Sequence, residues 1–433
     1  MNNVKHFFNQ IKNNDKCNTS YPLKRKLWLN FKTSEELSFD EKTMCFYVHI
    51  PFCMSLCKFC EYVKFVKQDD ETEKKYIEIV IKDINKFVEN HKDIVLKGFD
   101  IGGGTPTCLS ESNFSLLLSY FKKVVGLVQT SADFEPSIEG TFSTINENKI
   151  KMIVNAGIKR ISFGIQTINK KILESNDRKN PTFEKMQEVF FLCKKYGIEK
   201  INLDFMYGLN NQKTKDIKDC FSVIEYFKPQ QVTLYEFRPN ILNAKQGASK
   251  KKLWKQYKII YKKLTSLGYN GRFGQNTFSL SQIDLGLSSY LRNRMINNVS
   301  YKGFGFYAQS KSRQGVSYNE GKTKQIFDDC LLKERFNSQD TYILPKDELL
   351  SKYIAISGYY GQFNLDIMQN ILNEDFQKKI EKELNFLLKK RFVTIKNDLV
   401  TLTKKGFKFY GAVLAMFYCD NTKKYLLKNS CQN

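Results

Sequence analysis

The stretch Tyr47-Val-His-Ile-Pro-Phe-Cys53-Met-Ser-Leu-Cys57-Lys-Phe-Cys60 decides how this chain reads. An apolar, β-rich run, CFYVHIPF from Cys45, leads into three thiols spaced CxxxCxxC, which predicts a strand whose exit loop carries the cysteines. Cysteine thiolates are the usual protein ligands of iron–sulfur clusters. Three ligands for four irons leave one iron open, and a small molecule can chelate it through an amine and a carboxylate. Zinc is the alternative, but its sites typically use four ligands, often as two CxxC pairs, and no second pair with Cys or His lies near. Cys53, Cys57 and Cys60 are therefore the candidate ligands of a [4Fe-4S] cluster. The remaining cysteines (Cys17, Cys45, Cys108, Cys193, Cys220, Cys330, Cys419 and Cys431) are scattered and read as buried bystanders.

Downstream of the thiols, β-rich runs alternate with segments of helical period. FDIGGG, DFEPSIEG, RISFGIQ, KINLDFMYG and QVTLYEF are strand candidates after CFYVHIPF. Between them lie TEKKYIEIVIKDINKFVEN, ESNFSLLLSYFKKVVG, NENKIKMIVNAG, TFEKMQEVFFLCKKYG and KDIKDCFSVIEYF, with Gly157 and Gly197 placed as helix C-caps. Successive β/α units predict a parallel sheet with right-handed crossovers. Six such units fall short of a full barrel, so an α/β fold with a partial (βα)6 barrel is expected, open on one side to a sizeable substrate. Chemistry belongs at the C-terminal ends of the strands. Residues 248–340 show one clear helix, KKLWKQYKIIYKKLTSLG, and a Gly- and aromatic-rich stretch, YKGFGFYAQS, whose fold the pattern leaves open. Helical segments from SKYIAISGYY onward, then RFVTIKNDLVTLTKKG turning at Asn397-Asp398, suggest a winged-helix-like unit at the C-terminus.

Composition narrows the class. At 433 residues with 42% hydrophobic and 14% aromatic content, the chain can build a substantial core and is not wholly disordered. The first residues lack a secretory pattern and no run of ~18 apolar residues occurs, so a cytoplasmic protein without a membrane span is expected. The net charge of +24 favours anionic partners. Its lysines are spread over nearly every helical segment, which fits solvated faces better than a nucleic-acid tract.

The cysteine motif resembles that of the radical S-adenosylmethionine (SAM) superfamily. YVHIPFC resembles in particular the oxygen-independent coproporphyrinogen III oxidase family with its heme-chaperone and methyltransferase relatives. The likeness runs from about Cys45 to RFVTIKNDLVTLTKKGFKFYGAVLAMFY. It implies a cluster that cleaves SAM to methionine and a 5′-deoxyadenosyl radical, which abstracts hydrogen from a substrate. Gly102-Gly103-Gly104-Thr105-Pro106-Thr107 resembles the segment that binds the methionyl amino group, making Gly103, Gly104 and Thr105 candidate contacts; by itself the run is equally an ordinary tight turn. Glu139, Gln166, Arg178 and Asp204, at or just beyond successive strand ends, resemble SAM-contacting positions, and Tyr47 and Phe59 match positions that pack around the cofactor. Residues 1–44 then form an N-terminal extension, 45–247 the partial barrel, 248–340 a family-specific extension packing on it, and 341–433 the winged-helix-like domain.

Two departures bear on the reaction. The oxidases carry a further cysteine two residues beyond the third ligand, where this chain has Glu61-Tyr62 after Cys60. The heme chaperones carry His-Asn-x-x-Tyr-Trp, and the matching stretch is Asn297-Asn298-Val299-Ser300-Tyr301-Lys302, without the haem-ligating histidine. Only His6, His49 and His91 supply imidazoles, and His49 lies beside the cluster motif. The expectation is a radical SAM oxidoreductase acting on a tetrapyrrole or other anionic small molecule. One or two molecules of SAM would bind, and a reductant such as flavodoxin or ferredoxin would feed the cluster. A radical C-methyltransferase and a non-catalytic heme chaperone are the alternatives.

Overall fold

The computed structural model describes residues 2–12, 21–179, 181–238, 247–373 and 376–430; Cys17 and Cys431 lie outside them. Strands β1 (Thr43–Ile50), β2 (Val95–Gly103), β3 (Ser137–Gly140), β4 (Arg160–Gln166), β5 (Lys200–Tyr207) and β6 (Gln231–Glu236) pair in parallel in chain order. Helices α1 (Asp70–Asn90), α2 (Glu111–Leu127), α3 (Glu147–Asn155), α4 (Phe183–Tyr196), α5 (Thr214–Phe227) and α6 (Lys250–Ser266) follow them. The expected (βα)6 succession is present. Helix starts are set by side chains that accept an otherwise orphaned N–H: Asp69 from Thr72, Ser110 from Asn113, Asn146 from Lys149, Thr182 from Lys185 and Ser249 from Lys252. Gly157 and Gly197 follow α3 and α4 with φ of 84° and 86°, a left-handed conformation that glycine adopts without strain.

Strand alternation sorts the side chains onto two faces. Outward residues such as Phe46, Val48, Ile101, Ile161, Phe163, Leu203 and Val232 join the helices in one large apolar core. The inward face is polar. Arg160 donates to Gln231 Oε1 (2.7 Å) and Ser137 Oγ (2.9 Å), Asn202 donates to Ser162 Oγ (2.8 Å), and Thr233 donates to Asn202 Oδ1 (3.0 Å). Complete barrels usually fill that space with branched apolar residues; this one fills part of it with buried polar side chains that hydrogen-bond to one another.

The region whose pattern was unreadable extends the same sheet. Strand β7 (Thr277–Ser279) runs antiparallel to β6, and helix α7 (Ser289–Met295) packs against β1 and β2. Strand β8 (Ser300–Phe304) lies parallel to β1, and β9 (Gln309–Lys311), β10 (Gly315–Asn319) and β11 (Ser338–Ile343) continue as an antiparallel meander. Three- to six-residue strands interrupted by Gly303 and Gly305 carry too little alternation to be read from sequence.

At the C-terminus α8 (Lys346–Gly358), β12 (Gln362–Asn364), α9 (Leu365–Leu372), α10 (Phe376–Lys389), β13 (Val393–Lys396) and β14 (Leu399–Leu402) form the winged-helix pattern, with strands in the order β12-β14-β13. Asn397 and Asp398 turn the hairpin with φ of 48° and 60°, both positive as a two-residue I′ turn demands. Phe8, Ile11, Tyr21 and Trp28 from the N-terminal segment share one apolar cluster with this unit. Among the described residues no helix is long and apolar enough to cross a membrane.

Candidate functional site

The cysteine loop is stapled to the glycine segment by backbone bonds. Gly104 and Thr105 N–H donate to the carbonyls of Ile50 and Phe52 (2.7 Å each), while Phe65 and Lys67 N–H donate to those of Pro51 (2.6 Å) and Cys53 (2.8 Å). These bonds hold the ends of β1 and β2 side by side beneath the thiols. Thr105 Oγ1 donates to Cys53 Sγ (3.5 Å), Arg178 Nη1 donates to Cys57 Sγ (3.6 Å), and Cys60 N–H donates to the Cys57 carbonyl (3.2 Å). Cys53 and Cys57 are buried and Cys60 half-buried. Burial pushes the Cys53 thiol up to about 11, against the Thr105 hydroxyl that lowers it, so a bound metal's charge is what would hold it as thiolate. The all-thiol donor set of Cys53, Cys57 and Cys60, beside the hydrogen-bond donors Thr105 and Arg178, suits an iron–sulfur cluster.

The glycines are there because nothing larger fits. Gly103 has φ of 109°, and a Cβ on it would stand 2.3 Å from His49 Nδ1; a Cβ on Gly104 would stand 2.5 Å from the Phe52 carbonyl. Gly103 N–H donates to Glu139 Oε2 (3.1 Å). The Glu139 side chain reaches water although protein surrounds it, as befits a concave wall. That enclosure raises its carboxyl above the usual range; the Gly103 N–H opposes the shift, and Asp204 and Asp100 add to it. Gln166 ends β4 with φ of 67° and buries an Oε1 that has no hydrogen-bond partner. Arg178 bonds through Nη2 to the Gly164 carbonyl and buries an Nε without a partner. Buried polar groups normally find partners; these two atoms, on residues beside the cysteine loop, have none.

Asp204 accepts from Ser162 (3.0 Å) and Asn202 (2.7 Å), and burial raises its carboxyl against those bonds and the Arg160 charge. Tyr47 brings its hydroxyl 3.3 Å from His49 Nδ1 and stacks on Tyr290, ring centroids 5.6 Å apart. Phe59 packs behind the loop with Cys57, Ile172, Met206, Leu209 and Phe237. The structure thus joins Cys53 to Thr105, Cys57 to Arg178, Gly103 to Glu139, and Arg178 to the Gly164–Gln166 strand end. Tyr47 and Phe59 flank these groups, and Asp204 bonds within the chamber wall.

Sequence reasoning passed over the wall itself. Ser162, Asn202 and Thr233, with Tyr62 and Tyr235 exposed within the cleft (60% and 40%), were not singled out; both tyrosine hydroxyls lie close enough to Glu139 to feel its charge. The signal was available: in KINLD and QVTLY every other residue is polar.

Residues 47–224 match the Radical SAM superfamily. The chain is similar to the heme chaperone HemW of Buchnera aphidicola subsp. Schizaphis graminum, 26% identical over 387 residues, 86% of this chain and 97% of that protein. It is similar to the oxygen-independent coproporphyrinogen III oxidase of Helicobacter pylori, 27% identical over 194 residues, 44% of this chain and 41% of that one. In fold it matches coproporphyrinogen III oxidase HemN of Escherichia coli with a TM-score of 0.72 at 21% identity, covering 87% and 90% of the two chains. With its cysteine loop at the mouth of a partial (βα)6 barrel, this chain carries a radical SAM domain over residues 47–224 and is similar to the HemW heme chaperones and the oxygen-independent coproporphyrinogen III oxidases.

Proposed function

We propose that Cys53, Cys57 and Cys60 hold the superfamily's [4Fe-4S] cluster, that the chamber mouth holds SAM, and that the protein acts on an anionic tetrapyrrole. The observation that carries this reading is the convergence of the thiols, the glycine segment and the two orphaned polar groups at the C-terminal ends of adjacent parallel strands. When bound, the cluster and SAM supply one-electron chemistry at that point.

The chain's own residues divide the remaining work. Thr105 and Arg178 donate to Cys53 and Cys57, which stabilises thiolates and holds their orientation. Gly103 N–H aims the Glu139 carboxylate, a fitting acceptor for an ammonium group. Gln166 Oε1 and Arg178 Nε offer one acceptor and one donor to a polar ligand beside them. Asp204, held by Ser162 and Asn202, places a further carboxylate on the same wall. Tyr47 and Phe59 bracket the loop with aromatic surface.

Substrate choice rests on charge and kinship: a net charge of +24 attracts polycarboxylates, and the relatives are named for heme and coproporphyrinogen. Oxidation would release carbon dioxide with 5′-deoxyadenosine; methyl transfer would give S-adenosylhomocysteine and a methylated product. A second reading, a haem carrier, is favoured by the extent of similarity: the Buchnera HemW aligns over 86% of the chain and the Helicobacter oxidase over 44%. Against it, His49 Nε2 donates to the Val63 carbonyl (3.0 Å) with Nδ1 3.3 Å from the Tyr47 hydroxyl, and His91 stacks on Phe87, so two of the three imidazoles are engaged elsewhere. Mass spectrometry of the anaerobically reduced protein with SAM and coproporphyrinogen III separates these readings. Tetrapyrrole-dependent 5′-deoxyadenosine with either companion product supports catalysis; no turnover together with a haem Soret shift on titration supports the carrier.

A further inference from the structure

The open side of the barrel carries a cation that the cofactor site does not use. Arg294, on α7, is half-buried and faces the chamber. Its Nη1 donates to the Tyr290 hydroxyl (3.0 Å), and its guanidinium lies over the rings of Tyr301 (4.5 Å) and Tyr290 (5.5 Å). Nε is buried without a hydrogen-bond partner, and the Tyr301 hydroxyl also lies within hydrogen-bonding reach of the guanidinium. A guanidinium binds carboxylates through charge-assisted hydrogen bonds. No carboxylate within the described residues pairs with this one, although its charge is felt by Asp100, Tyr62 and Tyr360.

The surroundings hold the guanidinium in place. Tyr290 and Tyr301 are each 1% exposed, and Tyr290 is itself stacked on Tyr47. Gly98 on β2 admits the α7 backbone: a Cβ there would stand 2.3 Å from Tyr290 N. The same chamber therefore has an acidic wall, Glu139 and Asp204, and a basic aromatic wall built on Arg294. Tyr62 stands between them, close enough to sense both Glu139 and Arg294.

We infer that Arg294 is a positioning residue for substrate: its guanidinium, which no carboxylate of the described residues neutralises, binds a carboxylate of an aromatic or tetrapyrrolic ligand whose ring system lies along Tyr62 and the neighbouring tyrosines. The inference rests on the proposed tetrapyrrole reading but names a contact that reading leaves open. The acidic wall would repel the same carboxylate, so the ligand's orientation in the chamber is fixed.

Equilibrium binding tests it on the reconstituted protein, wild type against Arg294→Gln and Arg294→Lys, using porphyrin fluorescence with coproporphyrin III and its tetramethyl ester. Arg294→Gln is expected to weaken the acid ~10–100-fold and the ester less than twofold, with Arg294→Lys between and SAM affinity unchanged. Equal loss of acid and ester, or no loss of either, overturns the inference. If the wild type binds neither porphyrin, the tetrapyrrole reading fails by itself, and saturation-transfer NMR with 2-naphthoate against 2-naphthalenemethanol decides the arginine. Loss of the acid alone in Arg294→Gln supports it, and identical behaviour of the two probes or the two proteins overturns it.

Discussion

At the scale of single residues, the acids of the chamber carry the most direct consequences. Glu139 faces the cleft with one oxygen held by Gly103 N–H, so Glu139→Gln is expected to keep the full iron content and lose about 1–3 kcal/mol of SAM affinity. Calorimetric titration of the reconstituted variant checks this, and loss of iron with affinity intact would reverse the assigned roles. Asp100 behaves differently because it serves the fold. Burial raises it to about 7, against the Ser288 hydroxyl and the Arg160 and Arg294 charges, with Glu135 adding to the rise. An acid raised in the folded state favours folding below its unfolded pKa of roughly 4, and that advantage disappears as pH climbs toward 7. Asp100→Asn is therefore expected to raise the melting temperature relative to wild type at pH 8 and not at pH 5. An equal effect at both pH values would show that its charge is immaterial. The thiols and glycines were legible in sequence because their spacing and their conformational demands are local. Asp100, Ser162 and Arg294 were not, since their meaning depends on which strands and helix the topology brings to one face.

Among the elements, the (βα)6 succession could be read in advance because each unit buries one face at its own period. The meander from β8 to β11 could not, because strands of three to six residues repeat no pattern long enough to separate from a loop. Helix α7 is the element on which the open side depends, and its seat on Gly98 is tight. Gly98→Ala is expected to cost roughly 1–3 kcal/mol in denaturant unfolding by displacing the Tyr290 backbone; an unchanged midpoint would mean that α7 is free to shift. The wing hairpin is a simpler case. Asp398 has φ of 60°, so Asp398→Val should destabilise by about 1–2 kcal/mol, whereas Asp398→Gly should be neutral or stabilising. The thermal melts of the two variants decide it, and the opposite order would place the turn in another conformation.

For the whole molecule, the chain's two ends are bound into one core. Phe8, Ile11, Tyr21 and Trp28 pack with Leu350, Phe363, Val400 and Leu426, and buried Glu348 accepts from Tyr21 (2.7 Å) and Trp28 (3.0 Å). Ending the chain after residue 344 would uncover those side chains, so such a protein is expected to aggregate on expression; a soluble, folded product would show that the barrel region stands alone. The central claim, that this fold exists to hold a cluster with one open iron at the barrel mouth, is tested most directly by anaerobic reconstitution. Iron analysis and low-temperature EPR of the reduced protein would be recorded with and without SAM, for wild type and Cys57→Ala. The expected result is about four irons per chain and a cluster signal that SAM alters, both lost in Cys57→Ala. Iron content and signal unchanged in Cys57→Ala, or a wild-type signal indifferent to SAM, would contradict it.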